Sequence, residues 1–289
     1  MKNSSKKVIW RIIGVVFAVL AVVFAVLLFL NLRGCEGSIE QFKKPGKSEQ
    51  AVTLPGIDEP IDSNITIESE TTPPPETEPP IATGELPSEV DETYDVDFGS
   101  MYDINPDIHA WITVPGTPID YPVLQSQVSD LYYERRSYTG AHSVSGCIFT
   151  QYYNRPDFSD RNTVLYGHYM LDGTFFGSLH NYKDPEFFNN NRYIYITLPD
   201  RVLVYEIFAA YETDNRHVLT LCNYSDDEDY LRYLESCLNP STMVRTIREG
   251  TQLSANDRII TLSTCVSYYT YSSRRYLVQG VLIADVETQ

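Results

Sequence analysis

From about residue 95 onward, apolar and aromatic residues alternate with polar ones in short runs: "AWITV", "GCIFTQYY", "NTVLYG", "RYIYITL", "RVLVYEIFAAYE", "DRIITLSTC" and "RYLVQGVLIADV". A period of two, broken by Gly, Pro, Asn and Asp, is the signature of strands with one buried face. The pattern therefore predicts a mainly β domain, a barrel or a sandwich, with no internal repeat at a fixed period. Two stretches depart from it. In "SDDEDYLRYLESCLN", Ser225 and Glu228 stand in capping-box spacing, and Leu231, Leu234 and Leu238 then recur at helical spacing with Tyr230 and Cys237 beside them. That predicts a helix of about three turns inserted between two strands. A shorter helix is predicted over residues 98–104, just before "NPD".

Upstream the pattern changes twice. Residues 12–30, "IIGVVFAVLAVVFAVLLFL", are 19 apolar or Gly positions without interruption, close to the ~20 that span a hydrocarbon core as helix. The following "NLRGCEGS" lacks a small-residue cleavage site, so the run reads as a retained transmembrane anchor. Lys2, Lys6, Lys7 and Arg11 precede it, whereas Arg33 follows in the company of Glu36, which favours a cytoplasmic N-terminus and an extracellular bulk. Cys35, at the membrane edge, reads as an incidental juxtamembrane cysteine rather than a lipidation site. Residues 34–94, with "ESETTPPPETEPPIATGELPSE" at their centre, cannot bury enough apolar area to offset the entropy of ordering and read as a disordered acidic stalk. The expected organisation is a cytoplasmic tip and anchor at 1–33, a stalk at 34–94 and a folded domain at 95–289.

Charge adds an exclusion. The 289 residues carry a formal net charge of −17, and no basic face is evident that would neutralise phosphates, so nucleic-acid binding is excluded. The acidity is partly a stalk property: residues 48–97 hold fourteen Asp/Glu and no Lys or Arg.

Candidate chemistry rests on the cysteines and histidines. Cys35, Cys147, Cys222, Cys237 and Cys265 contain no C-x-x-C pair, which argues against a zinc site. Cys147, Cys222 and Cys237 read as small hydrophobes. Cys265 closes a strand beside hydroxyl residues, with Arg274 and Arg275 following, and is either a catalytic thiol or a buried structural one. A nucleophilic cysteine needs a proton partner. Of the five histidines, His168 in "NTVLYGHYM" follows an apolar strand and a Gly at which the chain can turn, whereas His109, His142, His180 and His217 read as surface residues. Strand alternation sets Ile259, Thr261, Ser263 and Cys265 on one face. That makes Ser263, and next to it Thr264, candidate substrate contacts, with a half-buried structural serine as the alternative at Ser263.

"TLSTC", followed ten residues on by Arg275 and preceded far upstream by "YGH", resembles the sortases, membrane-anchored cysteine transpeptidases of Gram-positive bacteria. Within that family "NPDIHAWITVPGTPIDYPVLQ", "NTVLYGHYMLDGTFFGSL" and the inserted helix look like class B. The resemblance covers roughly residues 97–286. It implies an eight-stranded sortase β-barrel with N-terminal helices and an inserted helix before the cysteine strand. Departures occur at Tyr169, where members often have Asn, at Gln151, where they often have Asp, and in "SDLYYERR", where the usual stretch is Asp-Asn-x-x-Tyr-Leu.

The resemblance implies that Cys265 attacks a threonine carbonyl in the C-terminal sorting signal of a secreted protein, giving a thioacyl-enzyme. Arg275 would face the oxyanion, His168 would protonate the departing amine, and an amine of a peptidoglycan cross-bridge or a pilin lysine would take the acyl group. No metal or organic cofactor is required. Class B members commonly resemble readers of Asn-Pro-x-Thr-Asn. Two other classes fit the residues: a membrane-tethered cysteine peptidase that hydrolyses its acyl-enzyme, and a catalytically silent surface binding module.

Overall fold

The computed structural model describes residues 95–267 and 273–288, together with Val22 and the pair Lys43–Lys44, which forms a short antiparallel ladder with Asp95–Val96. Val22 aside, the apolar run at 12–30 lies outside the described residues, as does nearly all of the stalk. Among the described residues, no helix is long and apolar enough to cross a membrane.

Helix α1, Phe98–Ile104, is capped by Asp97, whose carboxylate accepts from the Ser100 backbone N–H. Val22 apart, it is the only helical segment before the first barrel strand among the described residues. The predicted runs form strands, with β2 in addition, and most of them are buried on both faces instead of one: β1 Ile108–Thr113, β2 Asp120–Gln125, β3 Ile148–Thr150, β4 Asn162–Tyr166, β5 Tyr193–Thr197 and β6 Arg201–Asp214. Three more strands complete the sheet: β7 Arg245–Ile247, β8 Ile259–Cys265 and β9 Arg274–Glu287. Neighbours run β9-β8-β4-β3-β2-β1-β5-β6, and pairing of β6 with β9 closes an eight-stranded barrel, with β7 appended to the outside of β6. The closing ladder spans most of both fourteen-residue strands and is bent by irregularities at Gln279/Gly280 and Leu282/Ala284, the means by which a long strand follows a barrel wall.

Helix α2, Pro185–Asn190, was not anticipated, although its start is written locally: the Asp184 side chain caps it and Pro185 occupies the first helical position, where no N–H is needed. Helix α3, Asp227–Leu238, is the inserted helix. The structure corrects two details of its reading. The cap is Asp226, which accepts from the Asp229 N–H, instead of Ser225. The buried stripe is Tyr230, Tyr233, Leu234 and Cys237, while Leu231 and Leu238 are only partly covered. The tyrosines win because this face lies on barrel wall that carries polar groups: Tyr233 Oη meets Asn162 and Gln279, and Tyr230 Oη lies 2.9 Å from the carbonyls of Arg161 and Asp257.

The two faces of β8 therefore enter different cores. Ile260 and Leu262 belong to the barrel interior with Tyr276 and Val278, whereas Ile259 packs under α3 with Val164, Leu277 and Val281.

Candidate active site

Strands β4 and β8 run parallel, and their ladder finishes with the Gly167 N–H donating to the Ser263 carbonyl at 3.2 Å. Both strands thus deliver their last residues to the same end of the barrel. Beyond β4 the chain turns off and pairs with residues 175–176 instead: Tyr169 bridges Phe175, and Phe176 N–H donates to His168 O at 3.2 Å. Gly167 permits this by close approach, not by a special dihedral, since a Cβ there would lie 2.7 Å from Ile148 Cδ1 and Phe176 Cδ2. On the other side of β8, Cys265 pairs directly with Arg275 of antiparallel β9, which puts both side chains on one face of the sheet.

His168, Cys265 and Arg275 line one cleft of about 220 Å³ together with Leu131, Gln151 and Tyr166. All three are partly exposed. His168 is oriented from the opposite wall, its Nε2 lying 2.8 Å from the Glu134 carbonyl. A carbonyl only accepts, so Nε2 carries a hydrogen and Nδ1 is the ring nitrogen left for proton exchange. The carbonyl is itself held. Gly146, at φ +60°, passes so close that a Cβ would sit 2.3 Å from Glu134 O, and Tyr133 next to it is tied to Asn105 at 2.9 Å and to Asp107 at 2.7 Å.

The neighbouring arginines divide as the alternation requires. Arg275 lines the cleft, with Nη1 donating to the Arg274 carbonyl at 3.2 Å. Arg274 reaches Glu212 at 3.1 Å, and Lys183 joins the same carboxylate at 3.1 Å. Tyr166 lines the cleft with its Oη buried and without a hydrogen-bond partner among the described residues. Desolvation raises the phenol's pKa and the Arg275 charge opposes that rise. Ser263 is buried on the face of Cys265 and lines the cleft. Thr264 also borders it, but by alternation its side chain lies on the interior face with Ile260 and Leu262, and its Oγ1 has no partner among the described residues.

Of the remaining cysteines, Cys147 and Cys237 are buried as small hydrophobes. Cys222 sits in the loop before α3 and not in a strand, with its thiol pushed up to about 11 by burial. Three histidines read as surface residues prove otherwise; His142 alone is exposed. His109 packs beside Phe158 with ring centroids 5.9 Å apart, and burial lowers its pKa to about 4. His217 lines the cleft with its Nε2 2.5 Å from Gln151 Oε1. His180 lies against the Cys265 carbonyl. The partners of these rings are distant in sequence, and their local polar contexts carried no trace of them.

Comparison with known proteins gives a consistent result. A Sortase domain family model matches residues 112–283. Sortase B of Listeria monocytogenes is 34% identical over 180 residues, covering 62% of this chain and 71% of that protein. Among solved structures, the Staphylococcus aureus sortase B–substrate complex superposes with a TM-score of 0.58 at 29% identity, covering 65% of this chain and 85% of that one. A sortase B complexed with triglycine superposes with a TM-score of 0.58 at 29% identity, covering 65% and 86%.

Proposed function

Because the chain belongs to the sortase family and is a class B sortase, a cysteine transpeptidase, we propose that it cleaves a C-terminal sorting signal after Thr and joins the acyl group to an amine at the cell surface. In this reading, residues 12–30 anchor it with the N-terminus cytoplasmic and the catalytic domain outside. The observation that carries it is the single cleft shared by Cys265, Arg275 and His168, with the first two directly opposed across a strand pair.

The roles follow from the chemistry. The Cys265 thiolate attacks the threonine carbonyl, and the tetrahedral oxyanion is stabilised by the permanent charge and forked N–H groups of Arg275. His168 donates a proton to the departing amine as the intermediate collapses to the thioacyl-enzyme. An incoming amine then attacks the thioester, loses its proton to His168, and releases Cys265 as a new amide forms. The substrate complex and the triglycine complex of related sortases support a sorting peptide as donor and an amine as acceptor. On this chain the acceptor is a peptidoglycan cross-bridge or a pilin lysine.

The test is product analysis. Peptides of the Asn-Pro-x-Thr-Asn type, incubated with enzyme and with or without triglycine, should give a mass-identified amide only when the amine is present. Free acid in equal yield under both conditions would assign a peptidase instead, and no acyl adduct on Cys265 with any peptide would sink both readings.

A further inference from the structure

The parallel ladder between β4 and β8 stops one rung short of the cysteine. Its last bond joins Gly167 N–H to Ser263 O, and in a parallel register the next bond onto a β8 carbonyl would run from the residue 169 N–H to Cys265 O. That bond is not made. The turn that releases His168 into the cleft carries Tyr169 away to bridge Phe175. The Cys265 carbonyl is met instead by the imidazole of His180, from the 3₁₀ segment Gly177–Lys183, with Nε2 2.9 Å from the oxygen. The ring is clamped between two others: Tyr169 at a centroid distance of 4.3 Å and Tyr276, nearly parallel, at 4.9 Å.

We propose that His180 is a positioning residue for the nucleophile: its Nε2–H replaces the missing ladder rung and holds the last peptide of β8, and with it the Cys265 thiol, against Arg275 and the cleft. This rests on the reading of Cys265 as nucleophile. A carbonyl left without a donor at a strand end lets the terminal peptide rotate, and the thiol turns with it. The aromatic clamp fixes the plane in which the imidazole can donate. Burial and the Lys183 charge favour the neutral ring, while the Cys265 carbonyl and Glu212 favour the charged one; in either form a hydrogen on Nε2 serves the carbonyl. His180 does not line the cleft, so its effect reaches the reaction only through Cys265.

Two substitutions separate positioning from packing. His180→Phe keeps a ring for the stack and removes the donor; His180→Gln loses the ring and keeps an N–H of similar reach. The probe is iodoacetamide, with alkylation of Cys265 followed by mass spectrometry as a function of pH, a measurement that needs no sorting signal. Transpeptidation kcat and KM are measured alongside.

For His180→Phe the alkylation profile should move to higher pH and kcat should fall about tenfold, the scale of one lost hydrogen bond, with KM nearly unchanged. His180→Gln should recover most of both. A Phe variant with the wild-type profile and kcat, or a Gln variant no better than the Phe variant, would overturn the proposal. Should the Phe variant fail to fold, His180→Leu against His180→Gln supplies the same contrast. If wild-type Cys265 alkylates no faster than Cys222, the nucleophile assignment falls and this proposal with it.

Discussion

The two ends of β8 are made of similar residues and behave in opposite ways. At the first end Thr261 Oγ1 donates to Asn162 Oδ1 at 2.9 Å and accepts from Gln279 Nε2 at 3.0 Å, while Gln279 also meets the hydroxyls of Tyr211 and Tyr233 at 3.0 and 3.2 Å. Helix α3 covers this network, so buried polar groups are satisfied within a closed layer. At the second end the helix has given out. Ser263 and Cys265 face a cleft, and Tyr166 Oη, which borders the same cleft, is buried without a partner among the described residues. One strand thus joins a polar core that specifies the fold to a polar edge left available to a substrate.

Six substitutions probe this contrast. The largest effect belongs to Cys265→Ala, which should abolish transpeptidation while the thermal midpoint stays near wild type, since a half-buried thiol at the open end contributes little packing. Residual turnover by chromatography of the peptide products would displace the nucleophile. Next comes Arg275→Ala, with an expected loss of about 10²–10³ in rate, as for removal of one oxyanion donor. Arg274→Ala, which breaks the pair with Glu212, should be mild, and Arg275→Lys should rescue poorly because the planar fork is gone. If Arg274→Ala is the inactive variant, the pairing of Cys265 with Arg275 is not the functional one.

At the covered end the currency changes from rate to stability. Gln279→Leu removes three hydrogen bonds of the network and should cost about 1–3 kcal/mol, the range for leaving buried polar groups unsatisfied. Urea unfolding monitored by circular dichroism should show a lower midpoint with an unchanged slope. The rate per folded molecule should hold, and a fall in kcat without a fall in stability would show that the two ends are not separable.

The smallest effect is conditional on pH. His109 has a folded-state pKa of about 4, lowered from 6.5 by burial. Between those values the unfolded chain binds the extra proton, so this group's contribution to stability is fully present above pH 6.5 and declines as pH falls toward 4. A shift of that size corresponds to at most about 3 kcal/mol. His109→Gln should flatten this limb of a stability–pH curve and leave turnover at neutral pH unchanged; an unaltered limb would assign the acid sensitivity elsewhere.

Much of the architecture was legible because it is encoded over a few residues. Period-two runs marked the strands, and α1 lies where its short pattern predicted. The position of α3 was clear, yet its cap and buried stripe were misread. Ser225 and Asp226 are equally good cap residues, and only the wall beneath the helix selects which register packs. The order of His168, Cys265 and Arg275 along the chain also pointed to one chemistry before any contact was known.

What local pattern could not express is which segments meet when the barrel closes. His180 reaches a carbonyl 85 positions away, and His217 reaches Gln151 across 66. Both lie in polar stretches that resemble exposed loops, because the groups that bury them belong to other strands. The sequence by itself determined where most strands and helices lie, singled out Cys265, His168 and Arg275 as candidates, and set Ser263 and Cys265 on one face of a strand. Only the tertiary structure decided that β4 leaves β8 one rung early, and that the orphaned Cys265 carbonyl is met by an imidazole. The physical reason is that side-chain periodicity is set by neighbours along the backbone, whereas a hydrogen-bond partner is set by whatever chain closure brings within about 3 Å.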